Sequence, residues 1–288
     1  MTLFLTVLIN GCILGSVYAL VALGLNTQYG VAHILNIAHG EFIILSAFIT
    51  MTLYAGAGLH PLVALAVAGP IVFAISFVLH RTLYKRVKDM SANIGEFEGN
   101  AILVAFGIYF IVQNLMRDKW GSATSGYQFM AFPVRIGPAD IAANNLFVLL
   151  WAVVICVVYY LFLMRTRTGK AIRAAAQDAG AAALLGVKIN TIMALCFAIG
   201  GLLAAFAGVL ISMKEPFTTV SGMNYTTIAF IVVVLGGLGN VKGAILGGFI
   251  LGIVGYAVST YDTGMMFAVF YLIVLVLLIV RPKGLLGR

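Results

Sequence analysis

The sequence predicts an all-α integral membrane protein, with eight or nine transmembrane or re-entrant helices in two pseudo-symmetric halves. Three observations predict it. Of the 288 residues, 62% are hydrophobic and only 9% charged, against about 45–50% and about 25% in soluble domains. Apolar runs long enough to cross about 30 Å of hydrocarbon follow one another along the whole chain. The Lys and Arg residues, 17 in all, collect mainly in three polar islands instead of spreading over a surface.

The apolar runs lie near residues 3–25, 40–57, 62–83, 100–117, 145–164, 190–212, 243–260 and 264–281, with a shorter piece at 225–236. The basic islands are Arg81 to Lys88, Arg165 to Lys188 and Arg281 to Arg288. The positive-inside rule puts all three in the cytoplasm, and with them the C-terminus. It leaves Arg117 to Asn144 and Met213 to Asn224 as external loops, and leaves the side of the N-terminus open because no side-chain charge precedes the first span. The formal charge of +8 is therefore a membrane signature, and no nucleic-acid partner is expected. Gly121, Gly126, Pro133 and Pro138 make the loop at 117–144 too long and polar for a tight hairpin, so it covers the external face.

Cys12, Cys156 and Cys196 fall inside apolar runs at no metal-ligand spacing and read as small core residues. The stretch Leu8 to Cys12 faintly resembles a lipoprotein cleavage box, but no basic residue precedes it and the apolar run continues; a retained first helix is expected. Glycines at four-residue spacing, Gly11 and Gly15, Gly239, Gly243 and Gly247, Gly248 and Gly252, let helices pack backbone to backbone in lipid.

Two places break the apolar pattern with Gly, Asn and a charge: Tyr29 to Glu41 (YGVAHILNIAHGE) and Leu235 to Gly243 (LGGLGNVKG). Interrupted segments in matching halves point to a pseudo-symmetric transporter whose half-helix ends face the substrate route; plain interfacial loops are the other reading. Candidate route residues are Asn36, His39 and Glu41 in the first break, Gly237, Gly239 and Asn240 in the second, and Asn114 within the fourth span. Ionisable groups at depth are paired or face water. His39 and Glu41 either pair with each other or each serve a helix end, where a carboxylate in the first turn meets the positive dipole.

The run Ile231 to Leu235 with Gly237, Gly239 and Gly243 imitates a dinucleotide-binding turn, but its spacing is GxGxxxG and a span follows at once. Lys242 precedes Gly243 instead of Ser or Thr, so there is no phosphate loop and no means of splitting ATP in the usual way. No HExxH, GxSxG or paired carboxylates occur. No catalytic residue, metal site or cofactor is expected in this chain.

Arg165 to Lys188 (RTRTGKAIRAAAQDAGAAALLGVK) is too basic for lipid and suits a docking surface. Gly169 to Leu185 are mostly helix formers, with Ile172, Ala175, Ala176, Ala179, Ala182 and Ala183 along one face and Arg173 and Gln177 on another. Gly180 is the expected bend between two short helices, and Gly186 closes the segment.

That island with the span after it, the block GSVYALVALGLNTQYGVAHILNIAHGEFIILSAF and the block FIVVVLGGLGNVKGAILGGFILG together resemble permease subunits of bacterial ABC importers for branched-chain amino acids, the LivH type. They cover about half the chain. Ala175, Ala176 and Gly180 align on the importer motif EAA followed by three residues and Gly, with Ala174 where the motif has Glu. The resemblance implies a single permease domain over 1–288, with a coupling segment at 165–188 in which Arg173, Ala175, Ala176, Gln177, Asp178, Gly180 and Gly186 meet an ATPase. It implies two ATPase subunits carrying ATP and Mg, a second similar permease, and an external, periplasmic solute-binding protein at a bacterial inner membrane. Relatives with these blocks serve urea, amides or aromatic acids as well. An ion-coupled secondary transporter is the alternative from another class, and it would call for more intramembrane acids than Glu41.

Overall fold

The computed structural model describes residues 2–136 and 139–287. Pro138 of the external loop and Arg288 of the last basic island lie outside the described residues. Among the described residues, eight helices are long and apolar enough to cross a membrane. In chain order the helices are α1 (Thr2–Ala32), α2 (His39–Ala57), α3 (Pro61–Leu79), α4 (Lys85–Met90), α5 (Ile94–Trp120), α6 (Ala143–Arg165), α7 (Arg167–Gln177), α8 (Ala179–Leu184), α9 (Ile189–Lys214), α10 (Gly222–Gly236), α11 (Val241–Ser259) and α12 (Met266–Val280). A π-helical turn, His80–Tyr84, joins α3 to α4 as one continuous rod. The chain is an all-α integral membrane protein. Among the described residues the one sheet is a hairpin of β1 (Pro133–Ile136) and β2 (Ala139–Ala142) in the long loop before α6.

Helix ends sit where the side chains stop them. Asn93 accepts the Glu96 amide at 2.9 Å while Glu96 accepts the Ala92 amide at 2.9 Å, a reciprocal cap that starts α5. Gly58, at φ 63°, closes α2 with its N–H on the Tyr54 carbonyl. Pro61 opens α3, where the missing N–H costs nothing.

The four-residue glycine spacing is used as expected between α1 and α11, while Gly239 lies in the turn before α11 and not on a helix face. A Cβ on Gly248 or Gly252 would overlap the backbone of Ala19 or Gly15, so α1 and α11 touch main chain to main chain. Overpacking here costs about 1–3 kcal/mol; Gly252→Val is expected to lower the thermal transition of the detergent-solubilised protein, read by the exposure of its buried cysteines to a thiol dye.

Contacts sort the helix ends onto two faces. On one, the loop after α1 meets the start of α5 through His33 Nδ1 and Glu98 Oε1 at 3.4 Å. Lys88 reaches the start of α9 at Met193 Sδ, and Gly239 donates to Asn26 Oδ1 at 2.8 Å. The C-terminal tail joins them, Leu285 N–H donating to the Leu235 carbonyl at 2.9 Å. The described residues of all three basic islands lie on this face. On the other, Trp120 donates to Thr52, the Tyr127 and Ser212 hydroxyls pair at 2.9 Å, and Asn144 donates to the Met213 carbonyl.

Candidate functional site

α1 and α9 run antiparallel, with Gly24 against Gly200 and Gln28 donating to the Phe197 carbonyl at 3.2 Å, and that contact lies midway along α9. After α1 the chain turns back through residues 33–38 and begins α2 at His39, whose ring packs on Gly24 and whose Nε2 donates to the Val21 carbonyl at 3.0 Å. α2 therefore starts in the middle of the membrane. After α9 the chain does the same through residues 215–221, where Phe217 and Thr219 are buried, and begins α10 at Gly222.

The two half-way starts meet. Gly40 N–H donates to Thr226 Oγ1 at 2.8 Å, and that hydroxyl donates to the Ile37 carbonyl at 3.0 Å. Gly40 sits so close to the Gly222 carbonyl that no Cβ fits between them, and the Glu41 carboxyl lies against Gly222. Glu41 thus faces the positive ends of α2 and α10 at once. It does not pair with His39, and neither carboxyl oxygen has a hydrogen-bond partner among the described residues. Asn36 Oδ1 accepts the Ala38 amide at 3.1 Å and shapes the turn into α2. Asn36, His39 and Glu41 are all fully buried within this one chain.

The segment matching the first break is thus 215–221, not the stretch from Leu235. Its Pro216, Thr218 and Thr219 read as an external loop because nothing local shows that the chain re-enters. Gly237 and Gly239, at φ 99° and 78°, and Asn240, which caps α11 by accepting the Gly243 amide, form the turn between α10 and α11 on the basic face. Asn114 lies elsewhere again: on α5, donating to the Phe110 carbonyl and accepting from Arg117, between the exposed Phe110 and Leu115.

The basic island folds as the two short helices α7 and α8, but the bend is at Asp178, one residue past the end of α7, and not at Gly180. Asp178 Oδ1 accepts the Ala181 amide at 2.9 Å as the cap of α8; a side chain that satisfies a free amide outweighs a glycine, which lies inside α8. Gly169 packs on the Phe162 carbonyl with no room for a Cβ, and Arg173 Nε donates to the Leu163 carbonyl at 3.2 Å, so the island is clamped to the end of α6. Ile172, Ala175 and Ala182 point inward, while Ala176, Gln177, Asp178, Gly180 and Gly186 are exposed. Leu184 and Leu185, 91% and 83% exposed, project from the end of α8. Sequence reasoning passed over this pair because a leucine in an amphipathic helix is expected to face inward. An Asp cap at Asp178 sets a six-residue helix with Ala182 inward and leaves both leucines outside, and that signal was there to read.

The family model described as branched-chain amino acid transport system / permease component matches residues 7–280. This chain belongs to that permease family. It is 31% identical to the "High-affinity branched-chain amino acid transport system permease protein LivH" of Escherichia coli K12, over 99% of this chain and 96% of the relative. It is 32% identical to the permease protein BraD of Pseudomonas aeruginosa over the same shares. To the E. coli permease protein LivM it is 26% identical, over 94% of this chain and 68% of that relative. No solved structure matches it. The two extended connectors, the Gly40–Gly222 junction and the α7–α8 island are therefore features of a transport permease.

Proposed function

We propose that this permease works in a bacterial plasma membrane as one membrane subunit of an ATP-driven importer of branched-chain or other hydrophobic amino acids. Its partners are a second, homologous permease, two ATPase subunits that hold ATP and Mg, and an external solute-binding protein. The observation that carries the reading is the surface of α8. Leu184 and Leu185 stand almost wholly exposed at the end of the island that also carries Arg165, Arg167, Lys170 and Arg173, on a face whose excess of Lys and Arg assigns it to the cytoplasm. Large apolar side chains held out into water mark a protein partner. The same rule orients the rest: the C-terminus is cytoplasmic and the loop at 117–144 external, with residues 215–221 and α10 together carrying the chain between the two faces. LivH and LivM, both named as permease proteins of one transport system and both related to this chain, support a second permease of the same kind.

Coupling follows from the clamp. When ATP draws the two ATPases together, α7 and α8 move with the partner that holds Leu184 and Leu185. Gly169 and Arg173 pass the motion to α6, and α6 packs on α1 and α9. The Gly40–Gly222 junction, where two helices end in mid-membrane, is the pivot. Asn36, His39 and Glu41 are positioning groups inside it. A partner that bound both states of the island equally would shift nothing, so the ATPase must grip it differently with and without ATP.

Co-expression with the neighbouring subunits tests the reading. The permease should bring down two ATPases and a second permease, and vesicles holding that complex should take up leucine, isoleucine or valine only with ATP and the binding protein present. Asp178→Ala, which removes a cap worth about 1 kcal/mol, should leave the complex intact and weaken the link between ATP hydrolysis and uptake; unchanged stoichiometry of ATP to substrate would count against a role for α8.

A further inference from the structure

We propose that the external face carries a receiving site for the zwitterionic head of an amino acid, in a cavity of about 350 Å³ lined by Gly126 to Phe129, Ala131, Asn144 and Met213 to Pro216. The proposal rests on the transport reading above and names the point at which substrate first meets this chain. The cavity lies on the face opposite the α7–α8 island and falls in the size range of small-molecule sites, which are mostly apolar with a few convergent polar groups. Its apolar walls are Phe129, Ala131, Met213 and Pro216, suited to a branched aliphatic side chain.

Three polar groups complete it. Lys214 Nζ and Glu215 Oε2 stand 3.0 Å apart, so a cation and an anion are held side by side without net charge. Tyr225 donates to Glu215 Oε1 at 2.7 Å and fixes that carboxylate. Asn144, which lines the cavity, donates its amide N–H to the Met213 carbonyl at 3.0 Å, and its Oδ1 is buried without a partner among the described residues. A buried acceptor left empty costs about 1–3 kcal/mol. An α-ammonium supplies the missing donor, Glu215 the countercharge, and Lys214 the partner for the α-carboxylate. Tyr127, whose phenol burial pushes up to about 12, stays un-ionised and adds no competing charge.

The test uses the whole transporter in nanodiscs, without binding protein, and measures saturable binding of labelled leucine. Two analogues serve as probes: 3-methylbutylamine, which lacks the carboxylate, and 4-methylpentanoate, which lacks the amine. Wild type should bind leucine weakly and in preference to both. Lys214→Met should lose leucine affinity by about tenfold or more, the size of a lost charged contact, and keep the amine. Asn144→Leu should lose leucine and the amine together. Absence of saturable leucine binding in a complex that does import leucine overturns the site and leaves the transport reading standing. So does unchanged leucine binding in both variants with stimulation by the binding protein lost, since that marks the cavity as a docking contact. A complex that imports no amino acid overturns the reading and the site together.

Discussion

Replacing Leu184 and Leu185 together by aspartate is expected to abolish amino-acid uptake and the ATPase activity that depends on it, while the permease still inserts and folds. Each leucine, 91% and 83% exposed in the lone chain, gains about 1.5–3 kcal/mol when buried in a partner. Losing both removes about 3–6 kcal/mol, a rise of more than about a hundredfold in the dissociation constant. The readouts are recovery of ATPase subunits on the tagged permease and uptake into vesicles. The fold should be indifferent, since neither side chain reaches the core. Gly180→Ala is the informative companion: an added Cβ meets only Asp178 Oδ1, at 3.3 Å, so the isolated permease should tolerate it. Any loss of coupling then measures how closely the ATPase approaches α8 at that point.

Gly40→Val and Gly222→Val are each expected to stop transport. The backbones of α2 and α10 touch at these positions, and a side chain on either would overlap the Gly222 carbonyl, the Thr226 hydroxyl or the Glu41 carboxyl. Overpacking of this kind costs about 1–3 kcal/mol and forces apart the two half-way helix starts. Thr226→Val, nearly the same shape, removes the hydroxyl that Gly40 N–H donates to and that caps the Ile37 carbonyl; it leaves a donor and an acceptor buried without partners, each costing about 1–3 kcal/mol. Gly107→Ala is the control, because nothing lies within 4 Å of a Cβ there and alanine favours the helix by about 0.5–1 kcal/mol. Uptake should vanish in the first three and persist in the control, with each variant's membrane insertion checked by its sensitivity to external protease.

The spans were legible because lipid allows only closed hydrogen bonding and long apolar runs, and both leave their mark on composition. The first break was legible for the opposite reason: Asn36, His39 and Glu41 are groups that no lipid-facing helix keeps. Its partner was not. Residues 215–221 carry the polar and proline content of an ordinary loop, and their descent to Gly222 is set by the meeting of α10 with Gly40, over 180 residues away in sequence. The turn at Gly237 to Asn240 resembled a break because a helix-to-helix turn and a broken span both use Gly and Asn. The bend in the island was placed at Gly180 by its lack of a side chain, when Asp178 held the stronger signal as a cap. Which side chains reach outward from α8 depends on that two-residue difference.

A photo-reactive side chain placed in turn at Leu184, at Leu185 and at the exposed Val153 within the apolar span of α6 measures the coupling contact directly, in the intact transporter with and without ATP. Adducts with an ATPase subunit are expected from positions 184 and 185, changing in yield with nucleotide, and none from 153. ATPase adducts absent at 184 and 185 in a complex that still transports would contradict it.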